Sequence, residues 1–183
     1  MASKGFIELL RLADLARARK SGRRSGQEYD WQGVVFEIGG QRLVAPMGQV
    51  SEVLAMPEYT NLPLVKPWML GIANIRGRLL PITDLSQFLQ VPSRVAQMSQ
   101  RKVIVIDHDN LFSGLLVDQV IGIEQFTSDQ YRAEAIEPSS PFAPYNHGKF
   151  YKNEQDWYIF MPSLLAQDLQ YSDAANPALV SLA

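Results

Sequence analysis

Sliding the sequence along itself by 70 residues lays Val34-Val35-Phe36 on Ile104-Val105-Ile106 and Gln49-Val50 on Gln119-Val120 without a gap. A repeat of this length constrains the fold strongly, because whatever the first copy builds the second builds again. Each copy reads as an apolar strand, a polar turn, a second apolar strand and a valine-rich exit. The turns, Gly39-Gly40 and Asp107 to Asn110, carry ordinary hairpin chemistry. Val34, Phe36 and Ile38 alternate with period two, whereas Val103 to Ile106 is apolar throughout, as expected for a strand covered on both faces. The parallel resumes at an offset near 80, with Ile82-Thr83-Asp84-Leu85 against Pro162-Ser163-Leu164. The extra residues of the second copy fall around the proline-rich stretch Glu137 to Gly148. Such a duplication predicts two small β-barrels of similar topology packed together.

Between the copies lies GIANIRGRLLPITDL, Gly71 to Leu85. Gly77, flanked by Arg76 and Arg78, predicts a tight turn with outward-pointing arginines. Leu79, Leu80 and Ile82 form an apolar strand broken by Pro81, which favours an edge or a bulge because proline cannot donate to a ladder. Asp84 then stands at an N-cap position with Gln87 three residues on, ahead of a short helix that stops before Pro92.

Three motifs in this order resemble the CheW-like family of chemotaxis coupling proteins: GVVFEIGGQRLVAPMGQVSEVL, the G-x-x-N-x-R-G run just described, and GLLVDQVIGI from Gly114 to Ile123. The wording of VAPMGQVSEVL, RGRLLPITDL and HGKFYKNEQDWYIF is nearest the PilI-like version used in type IV pilus twitching-motility systems. The resemblance covers residues 31 to 170. It implies a mainly β fold of two five-stranded SH3-like β-barrel subdomains with short helices around a shared core, divided at about residues 31–100 and 101–170. It also implies a non-enzymatic adaptor that couples the cytoplasmic tip of methyl-accepting chemoreceptors to the CheW-like regulatory domain of a CheA-type histidine kinase. On the matching positions, Gly71, Asn74, Arg76, Gly77, Gly114, Val117, Asp118 and Val120 are expected to engage the receptor. Gln49, Glu52 and Val53 are expected to engage the kinase. From the residues themselves, Glu52 reads equally as a solvated strand-end charge, Arg76 as an internal ion pair bracing the subdomains, and Val117 and Val120 as core packing. A groove for an apolar helix between the subdomains would use the valines as walls.

Composition narrows the function classes. The chain has no cysteine, which excludes disulfides, thiolate zinc sites and cysteine nucleophiles. His108 and His147 both fall in predicted turns, and no nucleophile-base arrangement, metal-ligand spacing or phosphate-binding glycine loop stands out; no catalytic residue, metal or cofactor is expected. Asp84 reads as a helix cap rather than a catalytic acid. No apolar run approaches the roughly 20 residues needed to span a bilayer, and a cytoplasmic location at receptor arrays is expected.

The net charge of −2 conceals an asymmetry. Residues 1 to 24 carry seven Lys or Arg against Glu8 and Asp14, so the remainder is acidic. Phe6, Leu9, Leu10 and Ala13 mark one face of an amphipathic helix over Phe6 to Ala18, followed by a basic Ser/Gly linker; residues 1–30 form an arm, and 171–183 a tail. The arm has three possible docking surfaces: its own acidic body, another protein, or nucleic acid or lipid. Trp31, Trp68 and Trp157 read as core plugs, with Trp68 after Pro67 the best candidate for exposure. The alternative reading of the chain, a peptide- or nucleic-acid-binding small barrel outside chemotaxis, must contend with the acidic body.

Overall fold

A computed structural model describes residues 31–108 and 110–174; the predicted arm, residues 1–30, and the last nine residues of the tail lie outside the described residues. The fold is mainly β, as expected. Strands β1 (Trp31–Ile38), β2 (Gln41–Pro46), β3 (Val50–Ala55), β4 (Met69–Ile75) and β5 (Arg78–Asp84) are followed by helix α1 (Leu85–Phe88). Then come β6 (Lys102–His108), β7 (Leu111–Val117), β8 (Gln119–Phe126), the two-residue β9 (Tyr131–Arg132), β10 (Asn146–Lys152) and β11 (Gln155–Phe160), and helices α2 (Pro162–Gln167) and α3 (Leu169–Ser172).

These strands form a six-stranded sheet, β8-β1-β2-β11-β10-β9, and a five-stranded sheet, β3-β6-β7-β5-β4. The boundary near residue 100 is therefore not a boundary between sheets: the six-stranded sheet takes the β1–β2 hairpin from the first half and four strands from the second, and the five-stranded sheet takes the β6–β7 hairpin from the second half and three strands from the first. Matching β1 to β6, β2 to β7, β3 to β8, β4 to β10 and β5 to β11 converts one strand order into the other. The duplication read from the sequence is thus present as two interchanged halves.

Finer details repeat as well. One extra residue bulges on β3 at Ser51 and on β8 at Ile121, 70 positions apart. Positive-φ glycines Gly71 and Gly148, 77 apart, each bring the backbone so close to a carbonyl, of Thr60 or Arg132, that a Cβ would meet its oxygen at 2.1 or 2.7 Å. The later offset is therefore 77 rather than near 80. The bridge Thr60↔Ile72 is the counterpart of the β9 pairing Arg132↔Lys149, which explains why one sheet has a sixth strand and the other does not.

Alternation assigns the core. In β1, Trp31 and Val35 point into the interior of the six-stranded sheet with Val44, Phe126 and Phe150, while Phe36 and Ile38 point to the seam between sheets. In β6, Val103 and Val105 join the five-stranded interior with Leu80 and Leu116, and Ile104 and Ile106 face the seam. Both strands are covered on both faces, so the unbroken apolar run at Val103–Ile106 is explained. Trp68, read as a core plug although the best of the three candidates for exposure, is buried at 8 % exposure: it stacks on Tyr171 at 5.5 Å and meets Phe88 edge-on at 5.2 Å, in a pocket that the C-terminal helices cover. Trp31 and Trp157 are core residues as expected.

Pro81 needs a correction. β5 lies between β7 and β4, so it is an inner strand, yet its pairing with β7 begins only at Ile82↔Gly114. The proline occupies the last position before that ladder requires a donor. The edge strand on this side of the sheet is β4, β3 being the other.

Candidate functional site

β3 and β8, equivalent by the repeat, are the terminal strands of the two sheets, and they face each other across a groove of about 250 Å³. Val34, Met47, Val50, Val53, Val120, Gly122 and Ile123 line it, with Ser51 and Glu52 at the rim. The two matching bulges shape it. An inserted residue re-aims the side chains around it, and Ile121 and Ile123 stand 49 % and 58 % exposed, with Val53 at 40 %. Gly122, beside the bulge, adopts φ +158, and a Cβ there would meet nothing within 4 Å. Large apolar side chains held at the surface around one concavity mark a binding surface more than scattered exposed leucines would.

At the groove's edge the charged candidates meet. Arg76 Nη2 donates to Glu52 Oε2 at 2.9 Å, with side chains 79 % and 24 % exposed. The ion pair expected as one reading of Arg76 exists, but it joins the two ends of the five-stranded sheet instead of bracing one sheet against the other. Arg76 and Gly77 form the β4–β5 turn with φ +51 and +82, and Asn74 Oδ1 accepts from the Gly77 N–H at 2.9 Å. The sister turn of β10–β11 places Asn153 at the position of Arg76 with φ +53. Asparagine tolerates that left-handed conformation, whereas a long side chain there costs about 1 kcal/mol. Arg76 is held where its backbone does not favour it, and its guanidinium is left at the surface.

The other candidate residues separate into surface and interior. Val53 and Val120 line the groove, and Asn74 and Gly77 are exposed at the hairpin. Gln49, 6 % exposed, is spent inside: its Oε1 accepts from the Ser163 N–H at 3.1 Å, tying the β2–β3 turn to α2. Gly71 is enclosed by Thr60 and Tyr59. At Gly114 a Cβ would lie 2.8 Å from Val103 and 2.9 Å from Ile82, and Val117 is fully buried. Asp118, 2 % exposed, accepts from the Gly39 N–H at 2.8 Å, the Arg94 N–H at 3.1 Å and the Ser93 hydroxyl. These five position the surface and do not reach it.

One important residue escaped the sequence reading. Arg101, 4 % exposed, donates from Nη1 and Nη2 to the two carboxylate oxygens of Asp84, both at 2.9 Å, and its Nε lies 3.6 Å from Asp118 Oδ1. Asp84 is the predicted cap, accepting from the N–H groups of Ser86 and Gln87 at 3.1 and 3.3 Å. Burial pushes its pKa up, but the hydrogen bonds from Arg101 and Ser86 together with the Arg101 charge outweigh this and hold it below the ordinary 3.8. The repeat held a signal for Arg101: its partner at offset 70 is Trp31, and the counterpart of Asp84 at offset 77 is Met161, which packs in the same apolar cluster as Trp31. A polar pair in one half stands where the other half has an apolar one.

On the far side of β4, Glu58, Tyr59, Thr60, Leu62, Ile72, Asn74 and Leu79 surround a second, shallower concavity of about 590 Å³, with Leu79 65 % exposed. Among the described residues no group of three His, Asp or Glu side chains is placed to hold a metal, and no helix is long and apolar enough to cross a membrane.

The family model described as CheW-like domain matches residues 32–169. The chain is 44% identical over 145 residues to protein PilI of Pseudomonas aeruginosa, covering 79% of this chain and 80% of that one. It is 28% identical over 95 residues to the chemotaxis protein CheW of Thermotoga maritima, covering 52% and 62%. The crystal structure of the scaffolding protein TtCheW from Thermoanaerobacter tengcongensis shares the fold, with a TM-score of 0.62 at 21% identity over 71% of this chain and 88% of that one. Fold, motif order and sequence agree: this chain belongs to the CheW-like domain family.

Proposed function

We propose that the protein is a non-enzymatic, cytoplasmic adaptor that couples methyl-accepting chemoreceptors to a CheA-type histidine kinase, in the pathway that controls type IV pilus twitching motility. Membership of the CheW-like family and the 44% identity to PilI support this reading. The observation that carries it is the apolar groove between β3 and β8 with Val53 and Ile123 exposed in its wall. A groove lined by valine and isoleucine suits the apolar stripe of a helix, and the receptor's cytoplasmic tip supplies one. Arg76 and Glu52 flank it and offer charge at the helix's polar edge.

Because Glu52 and Arg76 touch, we assign Glu52, expected at the kinase, together with Arg76 to the receptor. The kinase's regulatory domain then falls to the exposed β4 edge around Leu79, and with it Asn74, which was expected at the receptor. The adaptor's work is positional: it fixes the receptor tip relative to the kinase so that a change in one alters the other. The nucleic-acid alternative must contend with ten basic against fifteen acidic side chains over residues 31–174, and all three tryptophans are buried.

Calorimetric titration of a receptor-tip fragment tests the assignment. Ile123→Glu is expected to weaken receptor binding at least tenfold and leave kinase binding intact. Leu79→Glu is expected to do the reverse. Undiminished receptor affinity in the folded Ile123→Glu protein would remove the groove from the receptor site.

A further inference from the structure

We propose that the β3–β8 groove has a second occupant in the chain's own N-terminal segment, Phe6 to Ala18, which competes with the incoming receptor helix. The inference rests on the groove reading above.

The geometry begins with the chain's entry point. β1 starts at Trp31, and Val34, three residues on, is part of the groove wall and pairs with Ile123. The arm therefore leaves the body roughly 10 Å from the groove at about 3.3 Å per residue. Residues 19 to 30 separate the segment from β1, and a chain of that length has a root-mean-square span of about 20 Å. No long detour separates tether and site.

The segment suits the groove chemically. Phe6, Leu9, Leu10 and Ala13 follow the i, i+3, i+4, i+7 spacing that puts four apolar side chains on one face of a helix. Thirteen helical residues span about 20 Å, enough to lie along Val53, Ile121 and Ile123. Charge favours the encounter: residues 1–24 carry seven Lys or Arg against two acids, and residues 31–174 carry ten against fifteen. Glu52 and Glu124 flank the site on β3 and β8, each already salt-bridged, to Arg76 and Lys152. The arm's charge thus supplies attraction at a distance, and its apolar stripe supplies the contact.

A tether this short holds the segment at an effective concentration of the order of millimolar. Even an intrinsic dissociation constant of about 0.1 mM then fills the groove in most free molecules and weakens a competing helix about tenfold.

The full chain contains no cysteine, so Ala18→Cys accepts a single nitroxide. The expected result is strong broadening of the amide signals of Val53, Ile121 and Ile123, falling off with distance from the groove. Mixing labelled chains with separate isotope-enriched chains is expected to show none of it. Adding Leu9→Glu with Leu10→Glu is expected to abolish the broadening and tighten receptor-tip binding about tenfold. Absent or uniform broadening, broadening confined to the mixture, or receptor affinity unmoved by the double substitution would overturn the proposal. If the arm broadens the groove while Ile123→Glu leaves receptor binding unchanged, the receptor assignment fails and the competition with it, and only the arm's docking in the groove stands.

Discussion

Arg101→Met is expected to destabilise the protein by about 3 kcal/mol. Removing one member of a buried ion pair costs about 3–5 kcal/mol, because the other charge stays buried without its partner. The lower end applies here. Asp84 keeps the Ser86 and Gln87 N–H groups and the Ser86 hydroxyl at 2.6 Å, and Asp118 keeps Gly39, Arg94 and Ser93. At about 2–4 °C per kcal/mol for a chain of this size, the midpoint falls by about 6–12 °C. Adding Asp84→Asn should restore about 2 kcal/mol. The amide removes the stranded charge, its oxygen still accepts at the cap, and its nitrogen can turn to the Leu116 carbonyl that Arg101 vacates. The Trp31–Met161 pair at the equivalent place shows that the fold tolerates an apolar filling there. Urea unfolding followed by tryptophan fluorescence gives both values. A loss below about 1 kcal/mol for Arg101→Met, or no recovery in the double variant, would refute the claim that Arg101 compensates a buried carboxylate.

Three further outcomes are expected. Gly71→Ala places a Cβ 2.1 Å from the Thr60 carbonyl oxygen at φ +154 and should cost about 1–3 kcal/mol in the same assay. Arg76→Asn relieves about 1 kcal/mol of turn strain and loses an exposed ion pair worth about 0.5 kcal/mol, so stability should hold or rise slightly while calorimetry shows weaker receptor binding. Because Asp84 has its pKa lowered by folding, the unfolded chain binds the proton more readily. Its stabilisation is complete well above pH 3.8 and drains away as pH falls through and below that value, so acid-unfolding curves of Asp84→Asn should be flatter there than those of the unaltered protein.

Local chemistry was legible where a residue type has one dominant use. Gly39-Gly40 gave the first hairpin, with φ +58 and +84, and Asp84 gave the cap. The two-faced burial of Val103–Ile106 followed from its unbroken apolarity. Long-range exchange was not legible, because β1 pairs with β8 and β3 with β6 through backbone bonds that any side chains permit. Pro81 showed the same limit: a proline marks a missing donor, and whether that lies at a sheet edge or just before a ladder depends on where β7 docks. Of the candidate contacts, Val53, Val120, Asn74, Arg76 and Glu52 lie at a surface, while Gly114, Val117 and Asp118 serve packing and hydrogen bonding. A motif marks which positions matter and leaves open whether they touch a partner or hold the scaffold. Arg101 escaped because its two carboxylates are 17 residues apart on either side, a spacing without a local signature.

The exchange of strands between halves also governs how the molecule is made. When the ribosome has released residues up to about 100, β1 and β2 await β8 and β11, and β3 and β5 await β6 and β7. The β1–β2 and β4–β5 hairpins lie within the first half, but neither sheet is complete until the second half emerges, so the first cannot mature alone. A nick in the connection between α1 and β6 would leave two pieces that regain structure only by finding each other, which makes that connection a natural place to divide the protein into a complementing pair.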